Sequence, residues 1–204
     1  MLPFLAILFT TLVASFMSKS DETLFKEFQK GFKPTKLPLM VEIVTDTLND
    51  KNKIDAKFSE FFSEDMKERK YSRMSMRVHN EYLQMVAQNE NFVAVIVGTS
   101  REISNVRNSK GNGNYTKLLV VYDKKGNILD SKQIAYKYSN RYIYTEILSN
   151  LAFTTQRFVS GNEKETNKWS LEKTESFMIT DSGKIVNVNE KDVKKQSQIQ
   201  SKSI

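Results

Sequence analysis

The chain has 204 residues, no cysteine and one histidine, and its 31 Lys and Arg against 24 Asp and Glu leave a formal charge of +7. Without cysteine there can be no disulfide, no thiolate metal site, no cysteine nucleophile and no lipid anchor on an N-terminal cysteine; a single histidine rules out His-rich metal sites and two-histidine acid/base schemes. The length fits one domain able to bury a core without covalent staples, and the basic excess leans toward anionic partners without concentrating into a stripe.

Residues 1–17, MLPFLAILFTTLVASFM, carry no charged side chain and give way abruptly to SKSDETLFKEFQK. A membrane span needs roughly 20 apolar residues, so the segment reads as a signal peptide, with cleavage near Ser15 and a mature chain starting between Phe16 and Lys19. A short uncleaved anchor is the alternative, and it would be the protein's only attachment to a membrane. Export redirects the basic excess away from nucleic acid and toward envelope proteins, glycans or lipids.

The globular part is expected over 20–189. Ser20 can cap a short helix with Asp21 and Glu22 in its first turn and Lys26 and Lys30 in its last, as the helix dipole favours. Leu24, Phe25, Phe28 and Phe32 fall on one face, and Gly31 and Pro34 mark the stop. Leu37–Thr45 alternates and is branched, as a first strand would be. Ile54, Phe58, Phe61, Phe62 and Met66 then recur at helical spacing, which predicts a second amphipathic helix over Lys53–Lys67.

Beyond it the period falls to two. Met74, Met76 and Val78 alternate with polar residues, His79-Asn80-Glu81 reads as a turn, Tyr82–Ala87 follows, and Phe92–Val97 is a continuous apolar run fit for burial on both faces. Ser104–Asn114 is a polar loop whose two glycines make no phosphate cradle, because a strand follows them rather than a helix. Asp123 with Gly126, and Asp181 with Gly183, are hairpin chemistry. The tail 190–204 is polar, lacks an apolar face and is expected to fray or stay disordered. These elements predict a mainly β fold, α+β by content: an antiparallel meander of about seven to nine strands, as a curved sheet or partial barrel, with two short N-terminal helices packed on it.

No motif identifies an enzyme, a metal site or a cofactor, and none of these is expected. His79 reads as a solvent-facing turn residue. Glu42, Asp46, Glu146 and Glu175 are the acids available for a carboxylate-dependent hydrolase of an envelope polymer, at the separations such chemistry uses, although strand-face acids more often point to water. The aromatic segment Tyr136–Tyr144, YKYSNRYIY, is the chosen contact surface: Tyr136, Tyr138, Arg141, Tyr142 and Tyr144, with Ser139 and Asn140 as the turn and the four rings sharing one face. The expectation is an exported, non-catalytic binding or accessory protein with a protein or glycan partner. A hydrolase, or a carrier of an apolar ligand suggested by the Phe and Met content, is the alternative.

Overall fold

A computed structural model describes residues 22–43, 49–71, 74–105, 114–138, 140–160 and 169–189. The leader, Asp46, most of the Ser104–Asn114 loop and the tail lie outside the described residues.

The protein is mainly β, as the alternating segments require. Helix α1 (22–29) comes first. Among the described residues eleven strands then form one sheet: β1 (Lys33–Pro34), β2 (Leu39–Val41), β3 (Arg69–Tyr71), β4 (Met74–Gln88), β5 (Val93–Asn105), β6 (Asn114–Tyr122), β7 (Ile128–Tyr138), β8 (Arg141–Ile147), β9 (Ala152–Ser160), β10 (Trp169–Ile179) and β11 (Ile185–Val188). Strands β4 to β11 run as an antiparallel meander in chain order. Strand β1 lies parallel to β4 on its outer side, and among the described residues the two ends of the sheet do not pair with each other.

The FVAVIV run is buried on both faces, and the two faces feed two cores. Val93, Val95 and Val97 of β5, with Leu118, Val120 and Tyr122 of β6, pack under α1 and the turns that follow it. Ala94, Ile96, Leu119 and Val121 point the other way, into a core shared with Ile134, Ile147, Phe153, Phe177 and Ile179 of the later strands. This alternation is the two-residue period of a strand made visible. Phe25, Phe28 and Phe32 of the first helical face are all buried, and the Phe28 ring lies within 6.0 Å, centroid to centroid, of Phe25, Phe32, Phe58, Phe61, Tyr82 and Tyr122.

The expected second helix is corrected to three 3-10 turns, Asp50–Asn52, Ala56–Phe61 and Glu64–Met66. Its apolar set is nonetheless buried: Ile54, Phe58, Phe61 and Met66 all lie in the core under the sheet. The segment is dense in short polar residues that bond their own backbone and so compete with a continuous helix. The Asn49 side chain accepts from the Lys51 amide, and that of Asp55 from the Lys57 amide, each opening a new turn.

A second correction concerns His79-Asn80-Glu81. These residues are not a turn; they sit mid-strand in β4, opposite Ser100, Thr99 and Gly98 of β5. The two hairpins signalled by Asp and Gly are present. Asp123 Oδ1 accepts from the Lys125 and Asn127 amides, and Gly126 and Gly183 take φ of 92° and 77°, which side chains with a Cβ avoid.

The sheet forks at β8, and the fork positions the candidate site. Residues 141–143 of β8 pair with β7, but residues 145–147 pair with β2. A bulge at Ile134, the unpaired residue of β7 between Gln133 and Ala135, lies beside the fork, and the Thr145 hydroxyl donates to the Ile134 carbonyl at 2.6 Å. Strand β2 takes the place that β7 leaves, and so the residues that follow it, Glu42 and Ile43, arrive next to Tyr142 and Tyr144.

Candidate functional site: an aromatic cleft on β8, β9 and β10

The β7–β8 hairpin pairs Tyr138 with Arg141, Lys137 with Tyr142 and Tyr136 with Ile143. Residues directly opposite in an antiparallel pair share a face. Each of these pairs joins an even-numbered residue to an odd-numbered one, so the even-numbered tyrosines of the two strands land on opposite faces; Ser139 of the expected turn lies outside the described residues. The expectation of four rings on one face is therefore corrected: Tyr136 and Tyr138 face one way with Arg141, and Tyr142 and Tyr144 face the other way with Lys137.

The second face continues into a platform. Phe158 stands opposite Tyr142 on β9, and Trp169 opposite Ser160 on β10. The Tyr144 and Phe158 rings stack 5.7 Å apart with 13° between their planes. Tyr142 lies 6.4 Å from Phe158 and 6.2 Å from Trp169. Together with Ile43 and Lys137 these four rings line an open cleft of about 360 Å³.

Polar groups tie the cleft down at one end. The Tyr142 hydroxyl donates to Glu42 Oε2 at 3.0 Å, and the Tyr144 hydroxyl donates to Gln156 Oε1. Burial, then the bond to the Glu42 carboxylate, pushes the Tyr142 phenol up to about 12. Lys117 Nζ donates to the Glu42 carbonyl at 2.7 Å. Behind Lys117 stands a carboxylate the sequence reading passed over: Glu81, 3% exposed, accepts from the Tyr115 hydroxyl and, at 3.0 Å, from the Asn49 amide. Burial lowers the Lys117 ammonium, and the Glu81 and Glu42 carboxylates oppose that shift.

Of the five residues chosen from sequence, the cleft brings together Tyr142 and Tyr144. Tyr136, Tyr138 and Arg141 lie on the opposite face, where the Tyr136 and Tyr138 rings are 6.3 Å apart. Phe158, Trp169, Ile43 and Glu42's contact with Tyr142 were missed as site members. The alternation Thr154, Gln156, Phe158 and the chain's single Trp were the available signals.

Of the acids considered for hydrolysis, Asp46 lies outside the described residues, and Glu42 is bonded to a tyrosine of the cleft. Glu146 is exposed opposite Met40, and Glu175 is held below its ordinary range by its bond to Lys173. His79 lies 3.9 Å from the Glu102 carboxylate. Among the described residues no group of three or more His, Asp or Glu side chains could hold a metal ion. No family model, curated protein or solved structure matches this chain.

Proposed function

We propose that the protein is a non-catalytic binding protein that takes the flat face of a sugar ring in the Tyr142–Tyr144–Phe158–Trp169 cleft and works outside the cytosol. The observation that carries this reading is the parallel Tyr144–Phe158 stack continued by Tyr142 and Trp169 across three strands. Aromatic side chains fixed on strands offer broad apolar contact with little entropy to lose, while their hydroxyls and neighbouring polar groups meet the ligand's own hydroxyls. The cleft has both parts, with Lys137 on its lining and the Glu42 carboxylate bonded to Tyr142.

The charge-free opening segment of residues 1–17 supports export. Sequencing the amino terminus of the protein recovered from its native cell tests that half: a start between Phe16 and Lys19 is expected, and a retained Met1 in the membrane pellet would replace the signal peptide with an anchor.

The binding half has a built-in reporter, because the chain's single Trp lines the cleft. Titration with soluble β-linked oligosaccharides of glucose, N-acetylglucosamine and xylose should change Trp169 emission saturably for at least one of them. Tyr144→Ser should abolish that change. Flat titrations with all three, against an unfolded control that shows the emission can move, would overturn the glycan reading.

A further inference from the structure

We infer that Lys117, braced by the buried carboxylate of Glu81, is the positioning residue of the cleft: it clamps the Glu42 backbone so that the Glu42 carboxylate is presented to Tyr142 and to the ligand. This rests on the cleft being the binding site and names the residues that set its polar end.

Three strands build the clamp. Glu81 of β4, Gly98 of β5 and Lys117 of β6 stand side by side in register, so their side chains share one face. Gly98 contributes no side chain to the row, and the space above it is filled by the Glu81 carboxylate and the Tyr115 hydroxyl. Glu81 is thereby fixed from two sides, by Tyr115 and by the Asn49 amide. The Lys117 ammonium stands on the same face two strands along this row, where the Glu81 carboxylate acts on it through space.

Lys117 passes that constraint outward. Its Nζ bonds the carbonyl of Glu42, and the carboxylate of the same residue accepts from Tyr142. The pairing of β2 with β8 ends at Val41 opposite Thr145, so Glu42 lies just past the last paired residue of β2. The lysine holds the backbone where the sheet pairing has ended. Glu42 then serves the cleft as an acceptor for a ligand hydroxyl, opposite in charge to Lys137 on the lining, which fits a neutral, hydroxyl-rich ring.

The experiment reads Tyr142 itself, with no ligand needed. The phenol is followed by carbon NMR of ring-labelled tyrosine and assigned with Tyr142→Phe. Glu42→Gln is the reference: the phenol should titrate at lower pH than in the native chain, while staying above the ordinary value because burial remains. Lys117→Met keeps the apolar stem and removes the clamp. If Lys117 positions Glu42, Tyr142 in Lys117→Met should fall to the Glu42→Gln value. If it does not, removing a nearby cation leaves the phenol unchanged or moves it up, and the inference is wrong. Lys117→Arg should restore the native value, whereas an Arg variant that titrates like the Met variant, or a Met variant with collapsed ring dispersion throughout the core, would show Lys117 to be a packing residue only. Oligosaccharide titration on Trp169 gives the second arm, with affinity in Lys117→Met expected to drop about tenfold. A native chain that binds no sugar defeats the glycan reading, while the Tyr142 titration still decides the clamp.

Discussion

Replacing Gly98 with Ala tests the buried row at its tightest point. A Cβ at this position would lie 2.7 Å from Glu81 Oε1 and 2.8 Å from Glu81 Cγ, and would also collide with the Tyr115 hydroxyl. In an open strand Gly→Ala stabilises by about 0.4–1 kcal/mol, by restricting the unfolded chain. Here the methyl must break the Tyr115–Glu81 bond or push both side chains aside. A hydrogen bond to a charged group contributes about 1.5–3 kcal/mol, and overpacking adds about 1–3 kcal/mol. The loss outweighs the gain, so a net destabilisation of about 2–4 kcal/mol is expected, a large share of the ~5–15 kcal/mol that holds a domain together. Urea denaturation followed by circular dichroism measures it as a lower midpoint at unchanged slope. The same substitution made in a Tyr115→Phe background should be milder by about 1 kcal/mol or more, because the hydroxyl that collides is gone. A Gly98→Ala chain as stable as the native one would refute the argument, and equal losses in both backgrounds would move the collision elsewhere.

Phe28→Ala should lower stability by about 3–5 kcal/mol, since the ring is fully buried among six others, whereas Lys57→Ala on the exposed side should leave the denaturation midpoint unchanged. Above pH 10 the fold should weaken: burial raises the phenols of Tyr82, Tyr115, Tyr122 and Tyr142 in the folded chain, so the unfolded chain releases its protons first and gains as pH rises; for the half-exposed Tyr142 the contribution is about 1 kcal/mol or less after solvent screening, and thermal melts from pH 8 to 12 measure the trend. Asp123 behaves oppositely, because burial raises its carboxyl but the bonds from Asn127, Lys125 and Gly126 outweigh this and lower it; its contribution is present above the ordinary carboxylate range and lost as pH falls through the depressed value, so Asp123→Asn should flatten the acid limb of stability below about pH 4. Tyr138→Ser should leave any Trp169 response to sugar intact, since Tyr138 is paired with Arg141 on the opposite face, and a lost response would place the contact surface there instead.

The antiparallel meander was legible in the sequence because several of its strands carry their own local signal. FVAVIV announced a strand buried on both faces, Asp123–Gly126 and Asp181–Gly183 announced tight hairpins, and Phe25, Phe28, Phe58 and Phe61 announced which side of the N-terminal segment is buried. Whether that segment is α-helix or 3-10 turns was not legible from periodicity, since spacings of three and four serve both, and the side-chain bonds of Asn49 and Asp55 decided it. Half of the aromatic site was likewise local: Tyr142 and Tyr144, two apart on one strand, must share a face. Tertiary structure alone decided the other half. Trp169 and Phe158 reach Tyr142 only through the β8–β9–β10 register, Glu42 arrives only because β2 replaces β7 at the fork, and Glu81 becomes a buried anchor only because β4 runs straight through a stretch that reads as a turn. Those contacts span up to 100 positions of chain, and a local pattern holds no information about which distant segment will supply the partner of a side chain.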